Sequence, residues 1–167
     1  GSGVGAGVVI NRRIYRGFHG LAGEIGHSEH PANAYRCSCG NVGCLEALAG
    51  GGARVAVMAR GREALDAATE SLLAAGAPDA VGISVDMTDP NSIAAGFDEV
   101  RQRWGALNSL VHTIGPGDGY FEEMDDADWD AAFSLGTMSG VRSIRAALPM
   151  LREADWARIV TLSAHSI

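Results

Sequence analysis

Hydrophobic residues follow two different patterns along this chain, and the pattern changes near Gly50. Small and β-branched residues alternate over residues 3–15 and are interrupted at Asn11-Arg12, which predicts a β-hairpin. Residues 17–44 are rich in glycine and polar residues and show neither strand nor helix periodicity, so they predict a loop that needs an external staple. Residues 45–49 predict the start of a short helix.

From residue 53 onward, short apolar runs alternate with amphipathic segments. The predicted strands cover residues 54–59, 80–85, 109–114 and 158–162, and the predicted helices cover residues 63–75, 90–104 and 127–151. Apolar strands that are separated by helices indicate a parallel sheet with right-handed crossovers. The predicted fold class is therefore α/β: a partial Rossmann-type parallel sheet with helices, preceded by the β-hairpin and the stapled loop.

Charge, hydrophobicity and cysteine content limit which partners and which cellular compartment the chain can be expected to have. The 167 residues carry a net charge of −7, and all 13 basic residues are arginine. Without a basic block, the chain predicts neither nucleic-acid binding nor attachment to a membrane surface. No apolar run approaches the roughly 20 residues that cross a bilayer. The three cysteines are an odd number in one short stretch, which favours a reducing cytoplasm over a disulfide framework.

These cysteines, together with one histidine, form the strongest chemical pattern in the chain. The four residues are His27, Cys37, Cys39 and Cys44. Three thiolates and one imidazole are a donor set that zinc binds tetrahedrally, and metal binding would supply folding energy to a loop without periodicity. The alternative is a reduced, buried trio of cysteines beside an unrelated histidine. We predict a zinc-stapled loop.

The same segment resembles the ROK family of sugar kinases and sugar-responsive repressors. The resemblance covers about residues 1–50 and rests on Gly1–Gly7, on Gly20-Leu-Ala-Gly-Glu-Ile-Gly-His27 and on Cys37-x-Cys-Gly-x-x-Gly-Cys-Leu-Glu46. It implies that the four residues above bind zinc and that Glu24, His27 and Glu46 lie near sugar hydroxyls. Read without the family, Glu24 and Glu46 are surface carboxylates. The kinase's acidic phosphate motif and catalytic aspartate have no counterpart here, so we expect no phosphoryl transfer.

Residues 52–167 resemble an internal segment of the short-chain dehydrogenase/reductase (SDR) family. Residues 53–60 look like its second strand, with Arg60 beside the position of the ribose-binding acid, which implies NADP rather than NAD. Asp86 and Met87 correspond to the segment near the adenine, and Gly115 to the glycine after the fourth strand. A solvated arginine at Arg60 and a turn-capping aspartate at Asp86 are the plainer interpretations.

The catalytic positions of this family are altered or missing. His112 and Thr113 replace two asparagines, and His112 in an apolar strand is more often a satisfied core residue than a base. Gly136 occupies the position of the catalytic asparagine. Ser163 and Ser166 are candidates for the catalytic serine, although both are out of register with it. A chain without lysine contains no Tyr-x-x-x-Lys, and no glycine-rich phosphate turn precedes the second strand.

The sequence therefore predicts two regions, a ROK-like hairpin and zinc loop over 1–50 and an incomplete SDR-like segment over 51–167. The predicted function is an NADP-dependent, SDR-like oxidoreductase segment that is inactive as it stands. The alternatives are a ROK sugar kinase or repressor fragment that retains its zinc site, and a non-enzymatic zinc-stabilised interaction protein. The predicted partners are small molecules, a sugar or NADP, and the family likeness implies a homodimer through residues 127–151. Because the family's first strand is missing, we expect either that the hairpin fills the central slot of the sheet or that the fold is marginally stable.

Overall fold

The computed structural model describes residues 8–10, 13–15, 36, 40, 51–114 and 121–161. The chain divides into two compact units, Gly1–Ser84 and Val85–Ile167. This division is based on contacts within the structure, whereas the predicted boundary at residue 50 is based on family likeness. The contacts do not test that boundary, which stays a prediction.

The first unit contains an antiparallel strand pair and a parallel strand pair. Strand β1 (Val8–Ile10) runs antiparallel to β2 (Arg13–Tyr15), with Val8 opposite Tyr15. Strand β3 (Val55–Ala59) runs parallel to β4 (Ala80–Ser84), and helix α1 (Arg62–Ala74) connects them. In the described part of this unit, β1 and β2 bond to each other and not to β3. The expectation that the hairpin supplies the missing neighbour of β3 is therefore wrong for these residues.

Helix α1 lies on the β3–β4 pair because its apolar residues share one face. Leu65 and Leu72 are buried there, and Leu72 packs in a cluster whose other members are Ala77, Ala80, Val55, Val57 and Ala75. The helix approaches β4 closely at Gly82, where an added Cβ would lie 2.9 Å from the Leu65 Cβ and 3.1 Å from the Thr69 Oγ1. At the other end, Gly76 takes a φ of 104° and ends the helix in the left-handed conformation that glycine allows.

The second unit has the same strand–helix–strand plan with a longer connection. Its elements are α2 (Pro90–Trp104), β5 (Ser109–His112), a 3₁₀ turn (Phe121–Glu123), α3 (Asp126–Phe133), a π turn (Ser134–Met138), α4 (Ser139–Glu153) and β6 (Arg158–Thr161). Strands β5 and β6 are parallel. Helix α2 packs on α4, and the buried apolar residues are Val85, Ile93, Phe97, Val100, Ala147, Met150 and Leu151.

Local capping explains where α2 and α3 begin. The Asp89 carboxylate accepts from the backbone N–H of Asn91 at 2.9 Å, and Pro90 occupies the first turn. Asp125 and Asp128 form a reciprocal capping box at the start of α3. The parallel α/β fold that the sequence predicted is confirmed. The helix predicted over 127–151 is instead two α-helical segments that are separated by the π turn.

None of the described helices is long and apolar enough to cross a membrane.

Candidate functional site

The carboxyl end of the β3–β4 pair carries two arginines with different surroundings. Arg62 Nη1 donates to the carbonyl oxygen of Gly82 at 3.2 Å, which ties this side chain to β4. Arg60 is exposed directly after β3, and its carbonyl accepts from the Ser84 hydroxyl at 3.4 Å. Within residues 51–114 and 121–161, no group pairs with the Arg60 guanidinium. Ligands of open α/β sheets bind at this end of the strands, so Arg60 is a cation in a suitable place.

The Asp86 loop (residues 86–89) follows in the second unit, and polar groups of residues 86–92 form hydrogen bonds within it. Asp86 Oδ1 accepts from the Thr88 N–H at 2.9 Å and from the Thr88 hydroxyl at 2.7 Å. The Asp86 N–H donates to the Ser92 hydroxyl at 2.9 Å, and the Asp89 N–H donates to the Asp86 carbonyl at 3.1 Å. Asp86 therefore makes the contacts of a turn-capping aspartate, which is the plainer of its two interpretations. Met87 is half-buried and lies between Asp86 and Thr88 in the chain.

Arg142 of α4 connects the Asp86 loop with the π turn. Its Nη1 donates to the carbonyl oxygen of Thr88 at 3.0 Å and lies 3.4 Å from the Ser134 hydroxyl. Both Thr88 backbone polar groups are thus engaged, the N–H by Asp86 and the carbonyl by Arg142. The loop is thus held by hydrogen bonds within residues 86–92 and by a contact with a helix residue 54 positions further along the chain.

A buried histidine–serine pair, His112 and Ser139, lies at the end of the π turn. The backbone N–H of Ser139 donates to Ser134 O, one residue earlier than in an α-helix, so the Leu135 carbonyl does not receive it. The Ser139 hydroxyl donates to that Leu135 carbonyl instead. His112 Nε2 lies 2.9 Å from the Ser139 Oγ. Because the single hydroxyl proton is directed to Leu135, His112 must carry its proton on Nε2 and donate it to the serine.

This arrangement makes His112 a structural residue. The side chain is only 6% exposed, and burial lowers its pKa below the ordinary value of 6.5, so the imidazole is neutral at pH 7. A Cβ added at Gly140 would lie 3.4 Å from the ring, which shows how closely α4 packs against it. The interpretation of His112 as a satisfied core residue is confirmed. One turn further along α4, the buried Ser143 hydroxyl has no hydrogen-bond partner within the described residues.

Many of the predicted site residues lie outside the described part of the chain. They are Gly115, the serine candidates Ser163 and Ser166, the zinc set His27, Cys37, Cys39 and Cys44, and the sugar-side glutamates Glu24 and Glu46. In residues 51–114 and 121–161, no three His, Cys, Asp or Glu side chains form a group that could hold a metal ion. Gly136, at the position of the family's catalytic asparagine, lies in the π turn.

Sequence reasoning did not identify Ser139 or Arg142 as members of this network. The available signal for Ser139 was weak: two serines, at 139 and 143, four residues apart on a helix whose other inward positions are apolar. Nothing in the sequence pairs Arg142 with Thr88, because the contact depends on how the helix packs.

A family comparison agrees with the fold. Residues 41–167 match the model of the enoyl-(acyl carrier protein) reductase family, which is a short-chain dehydrogenase/reductase family. The chain therefore belongs to this reductase family. Among solved structures, a metagenomic short-chain oxidoreductase in complex with NADP is similar, with a TM-score of 0.63 and 29% identity over 71% of this chain and 54% of that one.

A different segment of the chain is similar to ROK-family proteins. A putative xylose repressor of Caldicellulosiruptor sp. (strain Rt8B.4) is 57% identical over 49 residues, which are 29% of this chain and 12% of that protein. An N-acetylmannosamine kinase of Haemophilus influenzae (strain PittGG) is 43% identical over 65 residues, 39% of this chain and 22% of that protein. Both resemblances drawn from the sequence are confirmed. The chain spans less than a quarter of these relatives and about half of the solved reductase.

Proposed function

We propose that this chain is a dinucleotide-binding segment of the reductase family that binds NADP(H) through Arg60 and does not by itself catalyse hydride transfer. The observation that carries the proposal is the position of Arg60: an exposed guanidinium directly after a parallel strand, at the end of the sheet where ligands bind. A cation at this point matches the 2′-phosphate that distinguishes NADP from NAD.

Of the predicted residues, Arg60 has the charge and the exposure that a phosphate group of the cofactor requires. Arg60 supplies charge for the 2′-phosphate, and the family likeness assigns Asp86 and Met87 to the adenine and Gly115 to the segment after β5. The pyrophosphate would need a glycine-rich turn followed by a helix N-terminus, and the sequence before β3 contains no such combination. We therefore expect weak binding. The similarity to a solved oxidoreductase in complex with NADP supports the choice of ligand.

The inactivity follows from the proton-transfer groups. NADP supplies hydride chemistry when it is bound, but a carbonyl substrate also needs an acid whose pKa a neighbouring cation lowers. These 167 residues contain no lysine to do so. His112 is buried and donates its proton to Ser139, so it does not replace that acid. Ser163 and Ser166 remain candidates for the catalytic serine, and a serine alone does not supply this acid.

The test is a titration of the purified chain with NADPH and with NADH. We expect Arg60→Ala to weaken NADPH binding about tenfold, the equivalent of roughly 1.4 kcal/mol, and to leave NADH binding unchanged. The matched control is Arg54→Ala, which removes the same charge just before β3, at the opposite end of the strand. Equal loss of NADPH and NADH, or no binding by the unaltered chain, would contradict the proposal. Turnover of a carbonyl substrate would contradict the inactivity.

We also propose that two copies pair through residues 127–151. Helix α3 has no buried residue, and an exposed apolar stripe continues along the helical segments at Trp129 (46% exposed), Phe133 (58%) and Val141 (40%). Trp129 and Phe133 are four positions apart and share one face of α3, so this part of the stripe can meet an equivalent stripe on a second copy. Phe133→Ser should shift the sedimenting species from dimer to monomer. Trp156→Ser, which changes an exposed aromatic outside the stripe, should not; an unaltered chain that sediments as a monomer would disprove the pairing.

The second candidate function concerns the ROK-like segment. The 57% identity with a xylose repressor over 49 residues favours a retained zinc site made by His27, Cys37, Cys39 and Cys44, a donor set that suits zinc. Glu24, His27 and Glu46 are then the residues proposed to contact a sugar. A single zinc ion per chain, lost in a Cys37→Ser, Cys39→Ser double variant and kept in His30→Ala, is the expected result in reducing buffer. Zinc without NADPH binding would favour the non-enzymatic interaction protein, and a zinc-free chain would remove this candidate.

A further inference from the structure

Two side-chain networks end on the same π turn. From one side, His112 donates to Ser139, whose hydroxyl donates to Leu135. From the other, Arg142 bonds to Thr88 of the Asp86 loop and lies beside the hydroxyl of Ser134, the first residue of the turn. The first network includes the buried His112 and Ser139 and ends at the Leu135 carbonyl. The second leads outward to a loop that the proposed function assigns to the adenine.

We infer that Arg142 is a positioning residue for dinucleotide binding: it holds the Asp86 loop in shape and couples that loop to the π turn Ser134–Met138. The identity of the ligand rests on the proposed function. The coupling between the loop and the π turn rests on the contacts of Arg142 with Thr88 and Ser134. Arg142 would not touch the dinucleotide. Arg142 bonds to the Thr88 carbonyl, while the Asp86 carboxylate accepts from the Thr88 N–H and hydroxyl.

The geometry explains why this arginine matters more to binding than its neighbours on α4. Met87 lies between the two anchored residues, so its backbone follows the position of Thr88. Releasing the Thr88 carbonyl removes the anchor that α4 gives this loop, while the hydrogen bonds within residues 86–92 remain. A looser loop must be ordered when ligand binds, which weakens affinity without removing a ligand contact. By linkage, a ligand that orders the loop also orders the turn at the other end of the Arg142 side chain.

The experiment combines dinucleotide titration with amide hydrogen exchange on the full chain. Arg142→Ala should weaken NADPH and NADH binding equally, by about fivefold, the size expected for the net contribution of one hydrogen bond that acts indirectly through the loop. This differs from Arg60→Ala, which acts on NADPH alone. Exchange at residues 87–89 should accelerate in Arg142→Ala and recover in part in Arg142→Lys. Added NADPH should slow exchange at residues 134–138 in the unaltered chain but not in Arg142→Ala.

Arg152→Ala is the matched control, because Arg152 is exposed on the same helix beyond the proposed pairing region. It should leave the affinities and both exchange rates unchanged. Binding that Arg142→Ala leaves intact, or unchanged exchange at residues 87–89, would overturn this inference and leave the proposed function standing. Failure of the unaltered chain to bind either dinucleotide would overturn both. Equal acceleration across α2 and α4 would show global loosening and would likewise overturn the positioning role.

Discussion

The segments β3–α1–β4 and β5–α3–α4–β6 share one plan but are held together differently. Each joins two parallel strands through helical structure, with four or five strand residues in register. In the first, the fully buried helix positions are leucines, and a glycine in the strand allows close approach. In the second, the buried side chains include His112, Ser139 and Ser143.

This difference matters because the two kinds of core tolerate change differently. Apolar packing is non-directional, so its cost after a substitution depends mainly on lost volume or added overlap. A buried polar pair is directional, and removing one partner leaves the other without a hydrogen bond. The first segment should therefore respond to size, and the second to hydrogen-bonding capacity.

Removal of a large core side chain in the first segment should have the largest effect. Leu65→Ala should lower the free energy of unfolding by about 3 kcal/mol, because the side chain is buried against the sheet and leaves a cavity. Leu73→Ala on the same helix removes an exposed leucine and should change stability by less than about 0.5 kcal/mol. Urea unfolding measures both. Similar losses for the two variants would show that α1 does not pack as described.

Adding a single methyl group at the close approach should have the next largest effect. A Cβ at Gly82 would lie within 3.1 Å of both the Leu65 backbone oxygen and the Thr69 hydroxyl, so Gly82→Ala should cost about 2 kcal/mol through overpacking. Gly61→Ala is the control, since its Cβ would meet only the Ala64 Cβ at 3.9 Å. If Gly82→Ala lowers stability no more than Gly61→Ala does, α1 does not approach β4 as closely at Gly82 as described.

The two buried serines of α4 provide the sharpest test of the second segment. Ser139→Ala should cost about 1.5 kcal/mol, because the His112 Nε2–H and the Leu135 carbonyl both lose their partner. Ser143→Ala should be neutral or stabilising, because its hydroxyl is buried without a partner among the described residues. Thermal and urea unfolding of both variants check this. The opposite order of stabilities would refute the assigned hydrogen bonds.

The smallest expected effect is a dependence of stability on pH. Burial lowers the pKa of His112 in the folded chain, so below pH 6.5 the unfolded state binds more protons. The free energy of unfolding should thus fall as the pH drops from about 6.5 towards the folded-state pKa and level off below it. His112→Gln keeps a donor for Ser139 but does not titrate. Its stability should decline less than that of the unaltered chain between about pH 7.5 and pH 5.5; an identical decline would rule out His112 as the cause.

Sequence reasoning located the regular elements of residues 51–114 and 121–161 well. The helix predicted over 90–104 is observed as Pro90–Trp104, and the strand predicted over 80–85 as Ala80–Ser84. These predictions succeed because periodicity and capping act over a few residues. The sequence pattern did not predict the π turn, because its periodicity reads as one continuous helix and the contact of Ser139 with His112 of β5 is made only by packing. Arg60 and Asp86 were identified from family likeness, and Arg142 was not.

By itself, the sequence determined the strands and helices of residues 51–114 and 121–161 apart from the π turn, the composition without lysine, the cysteine and histidine set, and the likeness to two families. Tertiary structure alone decided which polar groups far apart in the sequence meet. His112 and Ser139 are 27 positions apart, and Arg142 and Thr88 are 54 apart. The physical reason is range: an apolar face needs only its own period to be recognised, whereas a hydrogen bond needs two particular atoms within about 3 Å. Only packing brings those atoms together.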